Sequence, residues 1–158
     1  MPVKPIPEGY QSVIPALSIQ GAAEAIEFYK RAFGATERLV MPGPNNSIAH
    51  AELQIGDSVV MVSDPFPQAN TKPPTELGGT TISLFCYVED VDTMFQQAID
   101  AGATTTMEIQ DQFWGDRFGS LLDPYGHAWG LATHVEDIPP EEMAERSKQA
   151  MEAMASSS

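Results

Sequence analysis

Gly115-Asp116-Arg117-Phe118-Gly119-Ser120-Leu121-Leu122-Asp123-Pro124-Tyr125-Gly126-His127-Ala128-Trp129-Gly130-Leu131 decides how this chain folds. Apolar and small residues flank Asp123-Pro124-Tyr125-Gly126 on both sides. Proline presets φ for a turn position, and glycine supplies the positive φ that such a turn needs. The stretch is therefore predicted as two short strands joined by a tight turn. A weaker copy lies upstream, where Ala51-Glu52-Leu53-Gln54-Ile55-Gly56-Asp57 turns into Ser58-Val59-Val60-Met61-Val62. Two hairpins of one kind imply a duplicated unit.

The elements around each hairpin repeat in the same order. Residues 10–19 read as a strand that Pro15 demotes to an edge or bulged one. Residues 21–33 read as a helix, with Ala22, Ile26, Tyr29 and Phe33 on one stripe. Residues 36–41 follow as a strand, and 47–55 with 58–63 as the first hairpin. In the second copy, 81–88 is a strand and 90–101 a helix, N-capped by Asp90, with Val91, Met94, Phe95, Ala98 and Ile99 inward. Residues 103–110 are the next strand. Gly34-Ala35 and Gly102-Ala103 end the two helices and measure the repeat at 68 residues.

This order predicts an α+β fold. Tandem βαβββ repeats form two curved mixed sheets around a concave groove, with a C-terminal helix added. Residues 1–137 make one domain of two repeats, about 10–63 and 80–135. They are joined by a proline-rich linker, 64–79. Residues 138–158 are a separate tail, an amphipathic helix with Met143, Ser147, Ala150, Met151 and Met154 on one face and a frayed serine end.

Composition narrows the partners. Net charge is −14 over 158 residues, with 22 acidic against 8 basic side chains. That field repels phosphate backbones, so no nucleic-acid partner is expected. No apolar run approaches the roughly 20 residues of a membrane span, and the N-terminus has no signal-peptide core. The single Cys86 has no partner for an internal disulfide. A reducing, cytoplasmic setting is the expectation. Asp57 and Asp123 occupy hairpin turns and read as caps of backbone amides.

The duplicated order, the helix phrase Ala25-Ile26-Glu27-Phe28-Tyr29 and Asp123-Pro124-Tyr125-Gly126-His127 resemble the vicinal oxygen chelate superfamily. It contains glyoxalase I, extradiol dioxygenases, fosfomycin-resistance enzymes and bleomycin-binding proteins. The likeness covers about residues 10–135. Phe113-Trp114-Gly115-Asp116-Arg117-Phe118-Gly119 and Glu136-Asp137-Ile138-Pro139-Pro140 resemble its PhnB-like branch more narrowly. The resemblance implies a small-molecule site in the groove and a homodimer.

It also implies a divalent metal, held by His or Glu on the first and last strands of each repeat. Those positions fall near Ile14, Met61, Ser83 and Gly130, and none offers a hard ligand. No cofactor is therefore expected. A displaced metal at His50 and Glu52, joined by His134, is the alternative. It would serve a lyase, isomerase or dioxygenase reaction.

Strand alternation puts His50, Glu52 and Gln54 on one face toward the groove, with Leu53 and Ile55 under the helix. The expected ligand-binding set is His50, Glu52, Met61, Phe85, Tyr87, Trp114 and Arg117. Trp114 offers a stacking surface, and Arg117 either grips an anionic ligand or pairs with a nearby acid. No catalytic residue is assigned. His127 is expected to brace the turn, and Cys86 to lie inert beneath the second helix.

Overall fold

The computed structural model describes residues 2–157. The first repeat runs β1 (Ala16–Ser18), α1 (Ala22–Phe33), β2 (Thr36–Pro42), β3 (Ile48–Ile55) and β4 (Ser58–Ser63). After α2 (Pro74–Leu77) the second runs β5 (Ser83–Tyr87), α3 (Val91–Ala101), β6 (Thr104–Asp111), β7 (Asp116–Leu122) and β8 (Ala128–His134). The chain continues into α4 (Pro140–Ser156). Both repeats make a four-stranded mixed sheet, in the orders β1-β4-β3-β2 and β5-β8-β7-β6. In each, the first and last strands of the repeat pair in parallel and the others antiparallel. The duplicated architecture expected from the sequence is present.

β1 is shorter than residues 10–19 promise. Pro15 still lends its carbonyl to Met61 N–H at 2.8 Å. Ahead of it, the Gln11 side chain takes the place of a strand. It donates to Val59 C=O at 2.7 Å and accepts from Val59 N–H at 3.1 Å. A side-chain amide satisfies the backbone there, so no ladder is needed.

One core serves both repeats. The helix-facing side of the first sheet gives Leu17, Ala51, Leu53, Val60 and Val62, and that of the second gives Leu121, Trp129 and Leu131. α1 and α3 lie between them and touch each other. Trp129 packs on Phe33 and Tyr29, with ring centroids 4.5 and 5.4 Å away, and Phe28 meets Tyr125 edge-on at 6.1 Å. Gln97 on α3 donates to the carbonyls of Arg31 and Ala32 on α1. Each large side chain buried this way is worth roughly 1.5–3 kcal/mol.

Polar contacts tie the repeats as well. Asp123, 3 % exposed, accepts from Tyr29 Oη at 2.6 Å and Trp129 Nε1 at 2.9 Å. It also accepts from the N–H groups of Tyr125 and His127, both at 2.9 Å. The turn cap read from sequence is thus also a bond to a helix 94 residues away. Gly126 in the same turn has φ +91°, and a β-carbon there would stand 2.7 Å from Pro74 Cβ. The linker therefore lies against the turn. Its first residue, Asp64, caps α1 through the N–H groups of Gly21 and Ala22 and holds Ile48 N–H at 2.7 Å.

The shared core has a consequence for the groove. Each sheet spends one face on α1 and α3, so its other face is turned away from that core. Within one chain the two open faces do not meet. A cleft of about 960 Å³ runs instead between the repeats, from Gln11, Val13 and Pro15 across to the free edge of β5. Phe33, Met94, Trp129 and Leu131 line it, and Phe85 and Tyr87 border it.

α4 is anchored by its first half. Arg146 binds Glu136 and Glu142 and donates to Phe113 C=O. The Gly115 carbonyl accepts from Val135 N–H and Glu136 N–H. Met143, Ser147 and Ala150 are half-buried, whereas Met151 and Met154 are exposed. The expected stripe docks on its own chain over part of its length. Ser156 is still helical, and Ser158 lies outside the described residues.

Candidate functional site

The open face of the second sheet is aromatic. Register puts Phe85 opposite Gly130, Gly130 opposite Ser120, and Phe118 opposite Ala132. The missing side chain at Gly130 leaves room for rings on both sides. A β-carbon there would lie 2.8 Å from Phe118 Cε2 and 3.3 Å from Phe85 Cδ2. Phe85 and Phe118 lie parallel within 7°, with centroids 5.5 Å apart. Tyr87 meets Phe85 edge-on at 5.1 Å, and Trp114 tilts over Phe118 at 5.9 Å. Phe85 is 49 % and Tyr87 64 % exposed, so the rings form a surface rather than a core.

Asp116 holds the upper end of this surface. It is 2 % exposed and accepts from Tyr87 Oη at 2.8 Å, Trp114 Nε1 at 3.0 Å and His134 Nδ1 at 2.9 Å. Burial pulls its carboxyl upward, yet the hydrogen bonds from His134, Tyr87 and Trp114 outweigh that and hold it below the usual 3.8. The other nitrogen of His134 reaches Asp137 at 2.8 Å. Two carboxylates therefore raise the His134 imidazole above 6.5, Asp116 first and Asp137 second.

A pH window follows. A lowered Asp116 stabilises the fold above 3.8 and loses that share as pH falls through its folded value. A raised His134 contributes fully below 6.5 and loses its share as pH rises through its folded value. The melting-temperature gap between wild type and His134→Gln should be widest between about pH 4 and 6.5 and shrink on the alkaline side. A gap that stays flat from pH 4 to 9 would contradict the pairing.

The open face of the first sheet carries a polar cluster bordered by apolar side chains. Glu52 stands opposite Met61 on β4 and Leu39 on β2, and His50 opposite Met41. Glu52 is 6 % exposed; Tyr10 Oη donates to one of its oxygens, and His50 Nε2 lies 2.9 Å from the other. Those two hydrogen bonds, Tyr10 first, keep its carboxyl below the usual 4.5 despite burial. Arg38 stacks on the Tyr10 ring at 4.6 Å and donates to Gln54 Oε1 at 2.8 Å.

The comparisons with known proteins agree with this geometry. The pattern of the Glyoxalase/Bleomycin resistance protein/Dioxygenase superfamily matches residues 15–131. This chain belongs to that superfamily. An uncharacterised protein of Mycobacterium bovis is 42% identical over 132 residues, covering 82% of this chain and 87% of the relative. Among solved structures, TioX from Micromonospora sp. ML1 superposes with a TM-score of 0.62 at 27% identity, over 82% of this chain and 100% of that one. A PhnB protein from Bacillus cereus has a TM-score of 0.60 at 23% identity, over 78% and 99%, which bears on the fold alone.

The glyoxalase superfamily's metal positions can now be placed. Met61 pairs with Ala16, and Ile14 falls before β1, so the first repeat offers methionine and alanine. Gly130 pairs with Phe85, and Ser83 with Ala128. At the second repeat's position the two phenylalanine rings fill the space a ligating side chain would need. This donor set does not fit a hard divalent ion. The displaced alternative loses its third member, because His134 sits on the other sheet between Asp116 and Asp137. Among the described residues, no three His, Cys, Asp or Glu side chains gather as metal ligands would.

The remaining candidates divide by face. His50, Glu52 and Met61 share the first sheet's open face, and Phe85, Tyr87 and Trp114 come together on the second. Arg117 does not join them. It lies on the helix side of β7, with Nε 2.8 Å from Asp92 and Nη1 3.2 Å from Asp111. His127 is buried, with Nε2 3.1 Å from Ser18 C=O, so its ring is structural but ties the turn to β1 of the other repeat rather than bonding within the turn. Cys86 faces the helix, and burial pushes its thiol up to about 11. Asp116 and Phe118 were absent from the sequence-derived set. Alternation from Trp114 through β7 carries them onto the same face, and that signal was legible. Among the described residues, no helix is long and apolar enough to cross a membrane.

Proposed function

We propose that this protein binds a flat, small organic molecule on the aromatic face of the second sheet, without the metal centre common in its superfamily. The observation that carries this reading is the Phe85–Phe118 pair over Gly130, open to solvent where a metal ligand would otherwise stand. The adjoining cleft of about 960 Å³ is of ligand-site size. The net charge of −14 favours neutral or cationic ligands over anions. The phrases from Phe113 to Gly119 and from Glu136 to Pro140 support placing the chain in the PhnB-like branch.

The open faces also support a homodimer, and the single Cys86 supports a reducing, cytoplasmic setting. Leu39 and Met41 on one face, and Phe85, Tyr87, Met107 and Leu122 on the other, are each 37–64 % exposed. A second copy laid over either face would close the groove that a single chain leaves open.

Thermal-shift titration with a panel of planar neutral and cationic aromatics tests the binding. A ligand at 100 times its Kd adds about 2.7 kcal/mol, or roughly 5–11 °C for a chain of this length. Phe85→Ala and Tyr87→Ala should abolish the response while circular dichroism stays native. No response across the panel, or one that survives both substitutions, would sink the reading.

A further inference from the structure

The chain has three histidines, and the structure uses them differently. His134 has both ring nitrogens on carboxylates, and His127 is buried against a carbonyl. His50 combines a carboxylate partner with an open side. Its side chain is 31% exposed, Nε2 lies 2.9 Å from Glu52, and Nδ1 has no hydrogen-bond partner among the described residues. Glu52 stays ionised because Tyr10 and His50 hold its carboxyl down. An ionised carboxylate accepts hydrogen bonds only, so Nε2 must carry the proton. With its proton on Nε2, the ring offers Nδ1 as the site for a further proton, on the open face of the first sheet. This is how a carboxylate fixes the tautomer of a catalytic imidazole.

We infer that His50 is a metal-free general base, oriented by Glu52, which takes a proton from an activated C–H group of a neutral organic molecule. Nδ1 gains the proton, the C–H bond breaks, and its electron pair stays on the substrate or expels a leaving group from the neighbouring atom. No oxidant or second reactant is needed. The imidazolium formed sits beside the Glu52 carboxylate, which stabilises it electrostatically. Glu52 is a positioning residue. Tyr10, itself stacked under Arg38, keeps the second carboxylate oxygen occupied, so Glu52 cannot turn away from His50. No strong nucleophile is bonded to the ring, which favours proton abstraction over acyl transfer. The chemistry draws on none of the second sheet's rings and stands or falls apart from the ligand site proposed there.

The test uses 5-nitrobenzisoxazole and the purified full-length chain. Loss of its C–H proton breaks the N–O bond and releases a coloured nitrophenolate. The wild type should exceed an equal concentration of free imidazole by about 100-fold. His50→Gln should fall to the imidazole level, and added imidazole should restore His50→Ala. Glu52→Gln should lower the rate about tenfold. It should also replace the single Nε2–H tautomer of His50 in ¹⁵N NMR spectra with a mixture. Should Glu52→Gln not fold, the wild-type NMR spectrum and the His50 variants decide alone. A wild-type rate no higher than that of His50→Gln, or a proton found on Nδ1, overturns the inference.

Discussion

Asp123→Ala is expected to cost about 3 kcal/mol or more and to lower the melting temperature by roughly 6–12 °C. The carboxylate is 3 % exposed and takes four donors: Tyr29 Oη, Trp129 Nε1 and the N–H groups of Tyr125 and His127. Alanine strands all four where water does not reach, and each unmet buried donor costs about 1–3 kcal/mol before relaxation. The Tyr29 phenol cannot escape by ionising, because burial, the largest cause that holds it well above 10.0 in the wild type, remains when Asp123 is gone. Asp123→Asn keeps one acceptor oxygen and should lose about half as much. Calorimetry of the three proteins measures the series, and the near-ultraviolet dichroism of Trp129 should weaken in the same order. A shift below about 2 °C for Asp123→Ala would show that the turn, rather than the bond to α1, is what Asp123 serves.

That residue also marks the limit of what the sequence reveals. The Asp-Pro-Tyr-Gly turn is legible because proline and glycine act on their own backbone. The helices are legible because Ala22, Ile26, Tyr29 and Phe33 repeat at helical spacing. Duplication then yields the order of elements along the chain, though not the pairing of the first strand of each repeat with the last. The reach of Asp123 to Tyr29 is a property of how the repeats pack, and nothing local encodes it. Arg117 is legible in its direction and in its pairing with an acid, but not in which acids it meets. Alternation assigns it the face of Leu121, and the long side chain then follows the nearest acids, Asp92 and Asp111, which sequence distance conceals.

The site divides along the same line. Alternation along β3 correctly sets His50 and Glu52 on the open face and Leu53 in the core, since a strand's side chains take turns. It does not reveal that Tyr10, 42 residues earlier, closes on Glu52. Nor does it say that the open faces are turned away from a shared core. The sequence expectation set the two sheets side by side around a groove and left open whether one chain or two encloses it. Burial of Trp129 against Phe33 and Tyr29 brings the repeats together through their helix sides.

Asp116→Ala should weaken the binding of a planar ligand on the aromatic face by about tenfold, although the residue touches no ligand. Asp116 touches no ligand-facing surface of its own, being 2 % exposed; its influence runs through Tyr87, Trp114 and His134. Released, Tyr87 and Trp114 regain rotamer freedom, and ordering each again on binding costs about 0.5–1.5 kcal/mol. Two rings together approach the 1.4 kcal/mol that makes a factor of ten. Stability should fall less than for Asp123→Ala, because Tyr87 and His134 are exposed enough to turn to water. A role confined to stability would lower the melting temperature and leave affinity alone. Tyr87→Phe supplies the control, since it keeps the ring and removes one bond to Asp116. It should weaken binding only by the freedom of one ring, about twofold to tenfold. If Asp116→Ala bound as tightly as wild type while Tyr87→Ala lost binding, the rings would be ordered by their own stacking, and Asp116 would be a brace for the chain leading to α4.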